Sequence, residues 1–120
     1  MTDIVIYEED DLMRSLLHEW LSEAGYAVRA VDSRDVEQAG AANLVIVSIY
    51  MPKQAGVRLV REIRAAHRDT PLIALSGHFR SGLSAVGATA EALGVQQVMA
   101  KPLTREALLE AVHGIVGPPD

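Results

Sequence analysis

The chain has 120 residues, with 16 acidic and 11 basic side chains for a formal charge of −5, and no cysteine. The length fits one ordinary domain, and the absence of cysteine excludes disulfides, thiolate metal ligands, iron–sulfur clusters and cysteine nucleophiles together. With 49% apolar and 22% charged residues, the composition supports a buried core and excludes a disordered tail, and the excess of acid argues against direct nucleic-acid binding. No stretch approaches the roughly 18 apolar residues of a membrane span. The start Met1-Thr2-Asp3 lacks the basic opening of a signal peptide, so a cytoplasmic domain without membrane contact is expected.

Residues 3–7 (DIVIY) open the chain as a strand, rich in the Val and Ile that fit a pleated surface. A helix is predicted over 12–24, where Met13, Leu16, Leu17, Trp20 and Leu21 recur at steps of three and four, with Asp10 or Asp11 as N-cap and Gly25 as the stop. Strands follow at 26–31 and 43–48, separated by a weaker helix over 33–42. A good helix covers 56–67, a strand 71–75, an Ala-rich helix 82–93, and a strand 95–100. The last helix, 104–116, carries Leu108, Leu109, Val112, Ile115 and Val116. Runs such as IVI, LVIV and LIAL are too continuously apolar for half-exposed strands and indicate a parallel sheet covered on both faces. Strictly alternating strands and helices make an α/β fold, a single-domain doubly wound sheet of five parallel strands flanked by helices. The expected domain is 1–116, with 117–120 (Gly-Pro-Pro-Asp) as a tail or the start of a linker.

In such a sheet, ligands bind beyond the carboxyl ends of the strands. The residues there are Glu8-Glu9-Asp10-Asp11, then Ser48-Ile49-Tyr50-Met51-Pro52, then Ser76-Gly77, then Lys101-Pro102. Carboxylates suit a hard divalent cation, while ammonium and hydroxyl groups suit phosphoryl oxygens. Phosphate-loop motifs are absent, none of the four histidines has zinc spacing, and Ser48 lies in no G-x-S-x-G elbow. Glu8 to Asp11 also read as a plain helix-capping acidic turn. Arg58, Arg61, Arg64 and Arg68 fall on one arc opposite Leu59, Val60 and Ile63, foremost a solvated face and secondarily a surface for an acidic partner. Glu106 and Glu110 read the same way on the last helix.

Taken in order, these strand-end residues resemble a response-regulator receiver domain of two-component signalling, over essentially the whole chain. The acidic pair matches Glu8 and Glu9, the Met-Pro dipeptide Met51 and Pro52, the helix-opening glycine Gly56, the switch hydroxyl Ser76, and the Lys-Pro pair Lys101 and Pro102. The resemblance implies a flavodoxin-like fold with strand order 2-1-3-4-5. It implies a metal site at Glu8, Glu9 and the Tyr50 carbonyl, and phosphate contact from Lys101. It also implies partners among histidine kinases, phosphotransfer proteins and output domains, for a monomer or weak homodimer. The departure is Ser48, which stands where receivers carry the phosphoryl-accepting aspartate. Val98 in place of an aromatic switch residue and Ala55 in place of an acid point the same way. The expectation is a non-enzymatic, atypical receiver acting by phosphorylation-independent protein interaction, with weakened Mg²⁺ binding. The alternative is a receiver that uses another acceptor, or a normal one inactivated at its site.

Overall fold

Strand β1 (Asp3–Tyr7) lies in the core, every residue from Ile4 to Tyr7 being apolar or aromatic and buried. The structure, a computed structural model, describes residues 2–32, 40–49, 54–76, 94–100 and 103–119. Helix α1 (Asp11–Glu23) follows, then β2 (Ala27–Ala30), β3 (Leu44–Ser48), α2 (Gln54–Ala66), β4 (Leu72–Ser76), β5 (Gln97–Ala100) and α3 (Arg105–Val116). The five strands form one sheet in the order β2-β1-β3-β4-β5, with every pairing parallel. This is the doubly wound arrangement expected from the apolar runs.

Side-chain alternation along the strands separates two cores. Val5, Tyr7, Val45, Val47 and Ala74 meet Val60 and Ile63 of α2. Ile4, Ile6, Leu44, Ile46 and Leu75 meet Leu17 and Leu21 of α1 and Leu108 and Val112 of α3. Each fully buried aliphatic side chain contributes about 1.5–3 kcal/mol by leaving water, so the central strands are held from both faces. Among the described residues, only Leu12 is a strongly exposed large apolar residue, and it falls outside the predicted stripe.

The helix ends follow their sequence signals. Asp10 caps α1, its carboxylate accepting the Met13 N–H at 2.8 Å, and Thr104 caps α3, its hydroxyl accepting the Ala107 N–H at 3.1 Å. Gly25 takes φ +107° just past α1, which a residue with a Cβ resists. Residues 117–119 lie against the body: the Tyr26 hydroxyl donates to the Gly117 carbonyl at 2.8 Å, and Pro119 approaches the face of Gly25.

Two expectations are corrected. Of the helix expected over 33–42, residues 40–42 are described and are not helical, Gly40 having φ +76°; residues 33–39, like the helix expected over 82–93, lie outside the described residues. Arg64 does not belong to the outward arginine arc. It is half-buried, and its guanidinium donates to the Thr70 carbonyl at 2.7 Å and to the Gly94 carbonyl at 2.8 Å. The Thr70 and Gly94 carbonyls at the lower end of the sheet draw the side chain toward them, since a planar fork of donors satisfies several acceptors at once. Arg58, Arg61 and Arg68 remain exposed. No helix among the described residues is long and apolar enough to cross a membrane.

Candidate functional site

The site is assembled by strand register. Tyr7 pairs with Val47, so Glu8 and Ser48 come next on adjacent strands, both buried at 4% exposure. They have the parity of Ile4 and Ile6 and of Leu44 and Ile46, the face shared with α1. Ser48 in turn pairs with Leu75, the Ile49 N–H donating to the Leu75 carbonyl at 2.7 Å. Ser76, the last residue of β4, is fully buried one step further along. The parallel ladder thereby brings three sequence-predicted site residues to one edge, where Glu9 stands exposed beside them.

The acidic turn proves both structural and open. Asp10 caps α1, and Asp11 forms an ion pair with the Arg14 guanidinium. Arg14 also donates to the Glu8 carbonyl at 3.1 Å, and one Glu8 carboxylate oxygen accepts the Asp10 N–H at 3.0 Å. Around them opens a cleft of about 660 Å³, lined by Glu8, Glu9, Asp11, Asp32, Arg14 and Ser48, with Tyr7, Val31 and Leu59 among its apolar walls. Four carboxylates against one guanidinium give the described lining a formal charge of −4 + 1 = −3.

Ser48 is the anomaly of this cleft. Its Oγ is the one buried side-chain polar atom among the described residues that has no hydrogen-bond partner, although buried hydroxyls are normally satisfied. Glu8 and Glu9 are hard oxygen donors of the kind Mg²⁺ takes, one or two carboxylates with water completing the shell. They fit that ion as its holders, but among the described residues no third Asp, Glu or His converges with them. Tyr50, Met51, Pro52, Lys101 and Pro102 lie outside the described residues, and Gly56 falls in the first turn of α2.

Sequence reasoning missed one polar pair. The Tyr7 hydroxyl and His67 Nε2 are 2.9 Å apart and buried, joining the end of β1 to the turn after α2, with the rings edge to face at 6.0 Å. Burial lowers the His67 pKa from its ordinary 6.5, and the charges of Arg29 and Arg64 act in the same direction. Burial raises that of Tyr7 above 10.0 against a smaller opposing effect of Arg29. The neutral imidazole is therefore the resident form. The signal that points to it is spacing, because His67 continues the buried stripe of Val60 and Ile63.

A doubly wound five-stranded parallel sheet with acids after β1 and a hydroxyl ending β4 is the architecture of a two-component receiver. Residues 4–113 match the response regulator receiver domain model, and the chain belongs to that family. Among its relatives, the Regulator of RpoS of Escherichia coli K12 is 32% identical over 104 residues, covering 83% of this chain and 30% of that protein. This chain thus spans less than a third of that relative. Chemotaxis protein CheY1 of Helicobacter pylori is 27% identical over 125 residues, 98% of each chain. The crystal structure of the receiver domain of the sensor histidine kinase PA1611 from Pseudomonas aeruginosa, with a magnesium ion coordinated in its active-site cleft, superposes with a TM-score of 0.77. It is 23% identical and covers 97% of this chain and 98% of that one.

Proposed function

We propose that this receiver works as a protein-interaction module of a two-component pathway, in the cytoplasm, without phosphorylation at the end of β3 and without enzymatic turnover of its own. The observation that carries the reading is Ser48: a neutral, buried hydroxyl with no partner, where the family resemblance expects an aspartate. A carboxylate there would serve as nucleophile toward a phosphohistidine and as metal ligand. A serine hydroxyl carries no charge at pH 7 and needs a base to become nucleophilic. Any ester it formed would lack the lability of an acyl phosphate. Without that third anionic oxygen, Glu8 and Glu9 hold Mg²⁺ more weakly. The partners this reading favours are a histidine kinase, a phosphotransfer protein or an output domain.

The test is incubation with acetyl phosphate and Mg²⁺, followed by intact mass and peptide mapping. The expected result is no phosphoryl adduct on the wild-type chain and a labile, hydroxylamine-sensitive adduct on Ser48→Asp. A stoichiometric labile adduct on the wild type, at any residue, would overturn the reading and favour a receiver with another acceptor.

A further inference from the structure

We infer that the outer face of α2, with the turn after it, docks an acidic, extended segment of a partner protein. The inference rests on the reading of the chain as an interaction module and names the chemistry of one partner. Among the described residues, four arginines are engaged: Arg14 with Asp11, Arg29 with the Ala41 carbonyl, Arg64 with the Thr70 and Gly94 carbonyls, and Arg105 with Glu23. The other three, Arg58, Arg61 and Arg68, are exposed, and their guanidinium groups form no hydrogen bond or ion pair among these residues. All three lie along one segment. At about 100° per residue, the exposed Ala65 projects between Arg58 and Arg61, so a small floor runs between two long cationic side chains. Further along, Arg68 lines a second cleft, of about 410 Å³, together with Thr70, Gln96 and Ile115.

Electrostatics select the occupant. Residues 54–69 hold four arginines against Glu62 and Asp69, a formal +2 on a chain whose total is −5, so the remainder carries −7. An acidic segment is repelled by that remainder and drawn to this stripe, which orients the encounter. Each guanidinium takes a carboxylate through two parallel N–H donors. Alternate side chains of an extended segment stand about 7 Å apart on one face, a spacing that arginines one helical turn apart can span. A nucleic acid fits less well. Its run of phosphates extends past the stripe onto the acidic remainder, and residues 54–69 contain no Phe, Tyr or Trp on which a base could stack. A second copy also fits less well, because the acids of α1 and α3 are interleaved with Arg14 and Arg105, and Asp11 and Glu23 are already paired.

The experiment is a ¹⁵N–¹H titration of the full chain with blocked hexaglutamate, without phosphodonor, at an ionic strength of about 0.1 M, where exposed charges more than about 10 Å apart are screened. Blocked hexaglutamine is the neutral control, and hexathymidylate carries the phosphates of a nucleic acid. Saturable shifts are expected at amides 58–70 with hexaglutamate, none with hexaglutamine, and weaker binding of hexathymidylate. Arg61→Glu is expected to weaken hexaglutamate about fivefold, the scale of one exposed attraction turned into a repulsion. Arg105→Glu makes the same change in net charge on α3 and is expected to weaken it less than about twofold. Both positions are exposed, and Arg58→Glu repeats the test on α2. No saturation, shifts centred outside 58–70, equal losses from Arg61→Glu and Arg105→Glu, or tighter binding of hexathymidylate would overturn the inference. Self-association of the free chain that Arg61→Glu abolishes would assign the stripe to a second copy and overturn it as well. Each of these can occur while the acetyl phosphate experiment still upholds the unphosphorylated receiver, so the two failures are distinguishable.

Discussion

Replacing Tyr7 by Phe removes one hydroxyl and leaves the ring. Tyr7 is 2% and His67 4% exposed, and their 2.9 Å hydrogen bond spans 60 residues of sequence. The variant strands a buried imidazole nitrogen, which costs about 2 kcal/mol, within the usual range for an orphaned buried group. At roughly 4 °C per kcal/mol for a domain of this size, the melting temperature falls by about 8 °C. The pH dependence separates the two partners. The folded His67 pKa lies below the unfolded 6.5, so its contribution is complete above pH 6.5 and is lost as the pH falls toward the folded value. The folded Tyr7 pKa lies above 10.0, so its contribution is complete below pH 10 and is lost as the pH rises further. Urea unfolding across pH, compared between wild type, Tyr7→Phe, His67→Leu and the double variant, reads both limbs. His67→Leu is expected to remove its share of the acid limb, and Tyr7→Phe its share of the alkaline limb. The double variant should be less destabilised than the two single losses added together. The reasoning is refuted if Tyr7→Phe costs under about 0.5 kcal/mol, or if His67→Leu keeps the full wild-type loss of stability just below pH 6.5.

Arg64→Met keeps much of the apolar stem and removes the donors to Thr70 and Gly94; a loss of about 2 kcal/mol is expected by chemical denaturation, with faster amide exchange around residues 70 and 94. Gly25→Ala forces a Cβ to about 3.1 Å from Pro119 carbons at φ +107°, and calorimetry should show a destabilisation of about 1–3 kcal/mol. Ser48→Ala takes away an unsatisfied buried hydroxyl and should raise unfolding stability by about 1 kcal/mol, so a marked loss would show that the hydroxyl is in fact satisfied.

Strand identities were legible because the signal is local. Residues 4–7 are apolar or aromatic throughout, and the strand predicted over 3–7 is β1 with the same bounds. The α1 cap was legible for the same reason: Asp10, one of the two acids offered for it, accepts the N–H three residues on. Glu8 and Ser48 were legible as candidates because parallel strands deliver their carboxyl ends to one edge, and the register places them side by side. Arg64 and Tyr7 were not. Arg64 sits on a helix whose charged face is otherwise exposed, and only the three-dimensional position of the Thr70 and Gly94 carbonyls turns it inward. The Tyr7 to His67 bond joins residues whose separate patterns, strand end and helix end, carry no information about each other. The emptiness at Ser48 Oγ is likewise a property of its surroundings rather than of its neighbours in sequence.

The backbone at position 48 is held by the β3–β4 ladder, where Ser48 pairs with Leu75, and by the β1–β3 ladder that ends at the preceding residue, Val47. Neither set of bonds involves its side chain. The end of β3 therefore behaves as a socket, in which the functional group can be exchanged while the frame that aims it stays fixed. One substitution can retire an old chemistry there and leave the mounting intact for a new one.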